Sequence, residues 1–102
     1  MDIKEKSTKH LQNRLVQLHS KYLELFPFMR GSIVQIGMTQ KRPHYSLNIK
    51  GKTKIISLGK GKETVAKKWI ENYKNLQEII EEVTMINIEL IRRMDFPIEN
   101  ST

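Results

Sequence analysis

Between Trp69 and Met94 apolar residues return at spacings of four and three: Trp69, Tyr73, Leu76, Ile80, Val83, Leu90 and Met94, with Asn87 in the one polar slot of the series. That period marks one face of a continuous helix. The helix it predicts, over about 62–94, constrains everything else in a chain of 102 residues. At 1.5 Å per residue about thirty residues reach about 45 to 50 Å, whereas a six-residue strand reaches only about 20 Å. A small sheet therefore covers less than half of the stripe, which Ile70, Ile79 and Ile86 widen. The rest calls for a second helix and then for a second copy of the chain, a homodimer. The packing and dimer seam expected on this basis is Trp69, Tyr73, Leu76, Ile80, Val83, Asn87 and Leu90. An Asn at a core heptad position sets register at a cost in stability; the alternative for Asn87 is the exposed margin of the stripe.

The second helix is legible near the start, where Leu11, Leu15, Leu18, Tyr22 and Leu25 form one stripe. Ser7 or Thr8 suits its N-cap, and Pro27 stops it, because the residue before a proline is pushed out of the α region. Phe26, Phe28 and Met29 read as packing at the corner. Asp2 to Lys9 is polar and reads as frayed, and residues 1–8 and 95–102 are expected to be loose tails.

Three strands fill the interval between the helices. Ser32 to Met38 reads as the first, with Val34 and Ile36 toward the core, Gln35 outward and the facing of Ile33 open. In the second, Tyr45, Leu47 and Ile49 alternate with His44, Ser46, Asn48 and Lys50, the pattern of a strand buried on one side. Gly51-Lys52 suits a two-residue turn into a third strand, Thr53 to Leu58. That register pairs residue 50 with 53, 48 with 55 and 46 with 57. Tyr45, Leu47, Ile56 and Leu58 then face inward, while Ser46, Asn48, Lys50, Thr53, Ile55 and Ser57 face outward. A four-residue loop from Lys50 to Thr53 keeps the same facing. The fold class expected is α+β, ordered α-β-β-β-α, in a single domain over 1–102, since the length is too short for two.

Charge is unevenly distributed. Met1 to Met29 holds five Lys or Arg against three acids, Arg30 to Lys68 ten against one, and Trp69 to Thr102 three against seven. The segments are thus +2, +9 and −4 within a net +7. A concentrated +9 across a sheet and the following helix start is the footprint of a phosphate-backbone binder; a basic surface that only keeps the chain soluble is the plain alternative. No cysteine is present, which leaves no disulfide and no thiolate metal site and suits a reducing cytoplasm. No apolar leader or membrane-spanning run is apparent.

Gly31-Ser32-Ile33, Tyr45-Ser46-Leu47, Gly51-Lys52-Thr53-Lys54, Ile56-Ser57-Leu58-Gly59 and Glu63-Thr64-Val65-Ala66 together resemble the N-terminal arm-binding domain of phage and transposon integrases. That domain is similar to the plant AP2 domain, a three-stranded antiparallel sheet packed on one helix and laid into the DNA major groove. The resemblance covers about 31–73 and implies DNA binding without strand cleavage, because the chain lacks the length and the Arg-His-Arg-Tyr core of a recombinase. Gly31-Ser32-Ile33, Tyr45, Gly51-Lys52-Thr53, the run Lys68-Trp69-Ile70-Glu71-Asn72-Tyr73 and Asn87 also resemble a family of short proteins of unassigned function encoded near transposases in bacteria and archaea. Members of that family carry a cysteine-rich, zinc-binding-like insert between the first two strands. Residues 37–42 hold no cysteine here, so no metal role carries over.

Reading DNA with a sheet needs short polar side chains on the outward face and cations around them. Asn48 suits adenine and Arg42 guanine; Ser46, Thr53 and Ser57 suit bases or phosphates, and Ile55 a thymine methyl. The DNA-contacting set expected is Arg42, His44, Ser46, Asn48, Lys50, Lys52, Thr53, Lys54, Ser57, Lys60 and Lys62, in a stretch with no carboxylate between Arg30 and Lys62. Gly59-Lys60-Gly61-Lys62 suits phosphate docking at a helix start. It is no Walker A loop, since no glycine stands five residues before Gly61 and Lys62 is followed by Glu63. His10, His19 and His44 lack the spacing of a metal pair, and Glu78, Glu81, Glu82 and Glu89 read as a solvated helix face. The expectation is a non-enzymatic, cytoplasmic double-stranded DNA-binding protein without cofactor, accessory or regulatory in a mobile element or phage. The alternatives are a protein–protein module, such as a phage or plasmid inhibitor meeting an acidic surface, and an RNA binder or small nuclease.

Overall fold

The computed structural model describes residues 2–94, in an α+β arrangement of one helix, a three-stranded antiparallel sheet and a long helix. Helix α1 runs Thr8–Glu24, strands β1, β2 and β3 run Ser32–Ile36, Arg42–Ile49 and Lys52–Ser57 in that spatial order, and helix α2 runs Lys62–Arg93. The molecule measures 64 × 30 × 20 Å. Its length is set by α2, whose N-terminal half lies on the sheet and whose C-terminal half lies on α1.

Ser7 is the N-cap of α1, its hydroxyl accepting the His10 amide at 3.1 Å. The two helices then bury one compact cluster. Leu11, Leu18 and Ile86 are excluded from solvent, with Ile3, Leu15, Ile79, Val83 and Leu90 packed against them. Each of the three contributes about 1.5 to 3 kcal/mol by leaving water. Arg14 latches the same interface, its Nε 2.5 Å and Nη2 2.9 Å from the Glu82 carboxylate. At the far end the Arg93 guanidinium bonds Glu89 at 2.7 Å and donates to Thr8 Oγ1 and to the carbonyls of Ile3 and Lys4. Those contacts correct the expectation of a frayed lead-in: residues 3–5 form a 3-10 turn held against α2. The expected tail at 95–102 lies outside the described residues.

The buried stripe of α2 is turned from the one predicted. Ala66, Ile70, Asn72, Leu76 and Ile86 are buried, while Ile80 is half-exposed and Asn87 is on the surface. Adjacent positions differ by about 100° around a helix. Docking by the leucines of α1 thus draws Ile79 and Ile86 into the core in place of Ile80 and Asn87, so Asn87 sets no register within the chain.

The buried asparagine is Asn72. Its Nδ2 donates to the Pro27 carbonyl at 2.9 Å, and two residues on the Met29 amide donates to the Trp69 carbonyl at 3.1 Å. These bonds clamp the segment between α1 and β1 across the middle of α2. Tyr22, Phe26, Phe28 and Tyr73 form a chain of ring contacts beside them, with centroids 5.1, 4.9 and 6.3 Å apart, the corner packing expected of Phe26 and Phe28. Gly31 follows at φ +131, where a Cβ would stand 2.5 Å from Tyr45 Cε1. The missing side chain lets Tyr45 lie across the backbone and donate to the Arg30 carbonyl.

Sheet register corrects two expectations. Ile33 pairs with Tyr45 and Val34 with His44, so Ile33 faces α2 while Val34 and Ile36 face outward. In the hairpin Asn48 pairs with Thr53, Ser46 with Ile55 and Ile49 with Lys52, and Lys50-Gly51 forms the turn instead of Gly51-Lys52. Lys50 and Gly51 both have positive φ, 51 and 81, as a type I′ turn requires. The facing of the strands survives, because the pairing moves by an even number of residues. Cover is thinner than expected: α2 spans β1 and β2, and every residue of β3 is exposed, Ile56 at 51%.

Replacing Asn72 by Ala removes the donor to the Pro27 carbonyl of an exposed residue and is expected to cost about 0.5 to 1.5 kcal/mol, lowering the thermal midpoint by about 4 to 8 °C for each kcal/mol. The hydrogen bond from Arg14 holds the Glu82 carboxyl below the usual carboxylate range, against the opposing effect of burial. With the folded value below the unfolded one of about 4.3, the stabilisation is complete above about pH 4.3 and is lost as pH falls through the folded value. Glu82→Gln should therefore be less stable than the wild type at neutral pH and converge with it in acid, as urea titrations across pH would register.

Candidate nucleic-acid interface

The antiparallel register sorts the sheet's side chains onto two faces. Away from α2 lie Ser32, Val34 and Ile36 of β1, Arg42, His44, Ser46 and Asn48 of β2, and Thr53, Ile55 and Ser57 of β3. The central strand thus presents a polar row of Arg42, His44, Ser46 and Asn48. On its flanks stand Val34 and Ile36 on one side and Thr53, Ile55 and Ser57 on the other. Ile36 is 42% and Ile55 52% exposed, so apolar surface is offered beside the polar row.

Two polar side chains of that row are constrained. Asn48 Oδ1 accepts the Gly51 amide at 3.0 Å, which closes the hairpin turn and leaves the side-chain amide as a donor. The same residue's carbonyl accepts from Arg30 Nη1 at 3.2 Å, so one cation of the basic segment is engaged with the backbone beyond the end of β1. His44 Nδ1 lies 2.9 Å from the Arg42 carbonyl. A carbonyl only accepts, so Nδ1 carries the hydrogen in this contact and the neutral ring keeps Nε2 as an acceptor.

The expected cations divide by position. Arg42 is on the outward face and exposed, and Lys50 is exposed at the hairpin tip. Lys60 precedes α2 and Lys62 is its first residue, both exposed. Lys52 and Lys54 belong instead to the face that turns toward α2, where they extend beyond the helix and line the hairpin end together with Ile49 and Thr53. They therefore flank the outward face from behind. The one acid of the basic segment, Glu63, pairs with Lys67 at 3.2 Å. No side chain caps the first turn of α2, for which Gly61 is the N-cap, so its leading amides remain free of side-chain acceptors.

Val34 and Ile36 were missed as members of the outward face. Ile33, Val34 and Ile36 are all apolar, and only pairing with β2 assigns them to sides. Charge also separates along the molecule: residues 30–68, the sheet and the start of α2, sum to +9, while the helical remainder sums to zero, +2 for 2–29 and −2 for 69–94. Among the described residues no group of three His, Cys, Asp or Glu is placed to hold a metal, and no helix is long and apolar enough to cross a membrane.

Asn48→Ala removes the side-chain acceptor from the turn, and faster hydrogen exchange at the Gly51 amide is the expected result, by about fivefold for a bond worth about 1 kcal/mol. Unchanged exchange there would mean that the turn closes without it. Comparison of the chain with protein-family models, with curated proteins and with solved structures returns no match.

Proposed function

We propose that the protein binds double-stranded DNA through the outward face of its sheet, without catalysing a reaction on it. The observation that carries this is the coincidence of the +9 segment with the sheet end of an elongated molecule whose helical end is neutral. A charge so placed steers a polyanion to one end and orients the protein on arrival. Three strands about 4.8 Å apart measure about 10 Å between the outer two, against about 12 Å for the major groove of B-DNA. The sheet therefore enters face-on, with Arg42, Ser46 and the Asn48 side-chain amide toward base edges. Ile55, Val34 and Ile36 suit thymine methyl groups, which only the major groove displays.

Phosphates are met at the rim. Lys50 at the hairpin tip, Lys60 and Lys62 at the start of α2, and Lys52 and Lys54 behind the hairpin stand where the two backbones of a groove would pass, and the uncapped first turn of α2 adds amide donors. An accessory or regulatory place in a mobile element is what the likeness to arm-binding domains implies.

Fluorescence anisotropy with labelled duplex DNA, single-stranded DNA and duplex RNA, repeated from about 50 to about 300 mM salt, tests this. Duplex DNA is expected to bind best, with log affinity falling against log salt by about 0.9 for each phosphate contacted. Arg42→Glu combined with Lys50→Glu should weaken binding by well over about tenfold, whereas Lys54→Glu alone should lower affinity by less and flatten the salt slope by about one. Preference for duplex RNA, or no binding at the lowest salt, would overturn the proposal.

A further inference from the structure

The α1–α2 pair is latched on one side and open on the other. Arg14 and Glu82 close the first side. On the second, Leu15, Tyr22, Leu76, Ile80 and Val83 line a groove to which His19 and Thr84 add the polar groups. The Thr84 hydroxyl donates to the Ile80 carbonyl of its own helix at 2.7 Å, so it asks nothing of a partner. No Lys, Arg, Asp or Glu lines this groove. Ile91, seven residues beyond Thr84, continues it at 55% exposure.

We propose that a second copy of this chain seats on that face, the two helical pairs forming a four-helix core whose two-fold axis runs along the helices and sets both sheets at the same end.

Three observations select this occupant. The radius of gyration is 19.8 Å, against about 13 Å for a compact domain of about 100 residues; among the described residues seven hydrophobic side chains are buried and fourteen large ones exposed. The chain by itself thus has a small core for its length. The face runs about 25 Å along helices that together span about 20 Å, a footprint of about 500 Å² before side-chain relief is counted, near the roughly 600 Å² per partner at which specific interfaces begin. The charges of the helical pair, Arg14, Lys21, Glu24, Glu78, Glu81 and Glu82, line its latched side instead. An axis along the helices places each α1 against the α2 of the other copy, antiparallel, and so repeats the α1–α2 packing that each chain already uses. An uncharged face offers no purchase to a partner selected by charge, whereas it meets its own copy without repulsion.

Because α1 ends and α2 begins at the sheet, this axis brings two basic sheets side by side. Their joint action on one duplex rests on the DNA reading; the pairing does not.

Light scattering at micromolar concentration should give twice the 12.0 kDa chain mass. Ile80→Glu and His19→Glu, both at exposed positions lining the groove, should each halve that mass with helical circular dichroism retained, while Met85→Glu, exposed on the latched side, should not. The chain has no cysteine, so a spin label on Thr64→Cys reports the axis: an axis along the helices keeps the two labels at one height, about 20 to 30 Å apart, whereas an axis across them near Ile80 separates them by about 48 Å, twice the rise of sixteen helical residues. A monomeric wild type, a dimer that survives both substitutions on the open face, or a label distance of about 45 Å or more would overturn the proposal. None of these readouts involves DNA, so failure of DNA binding leaves this test intact.

Discussion

One helix serving two separate cores is the constraint on which the rest of this structure depends. The first half of α2 covers the sheet, through Ala66 and Ile70, and the second half buries Leu11 and Leu18 through Ile86. Neither core is large enough to stand alone: a three-stranded sheet of short strands needs packing on one face, and a two-helix pair has a face left over. What joins them is the continuity of α2 and the clamp at its centre, where Asn72 and the Trp69 carbonyl hold the chain between Pro27 and Met29. Buried polar groups are costly unless fully bonded. The clamp therefore ties the segment between α1 and β1 to the middle of α2, where the two cores adjoin.

Separation of the two ends along α2 gives the charge distribution its meaning. A net +7 spread over a compact domain would attract any polyanion from any side. Here +9 is gathered at the sheet end while the helical end is neutral in sum. The cations are also arranged around the outward face more than on it, Arg42 being the exception. Polar and apolar groups in the centre and lysines at the margin match a surface on which the rim contacts phosphates and the middle contacts bases.

Much of the fold was legible because it rests on periodicity, which needs no partner to read. The four-three recurrence of α1 and α2 and the alternation of β2 follow from local geometry, and the Ser7 cap and the facing of Ser46, Asn48, Thr53, Ile55 and Ser57 came with them. Errors arose where a side chain's environment depends on a distant element. Val34 and Ile36 look like core residues until β2 pairs with β1 and turns them outward. Ile80 and Asn87 look central until α1 docks nearer Ile86. The turn moved by one residue because the Asn48 side chain accepts the Gly51 amide, a choice between two loops that both keep the facing.

The order of elements, the length of α2 and the concentration of cations between Arg30 and Lys68 were determined by the sequence alone, since hydrophobic spacing and charge are properties of consecutive residues. Only the tertiary structure decided which cations share the outward face, which Asn is buried, and that the α1–α2 pair is left with an open, uncharged side. Those outcomes depend on which surfaces meet, and packing selects among faces that periodicity leaves equivalent.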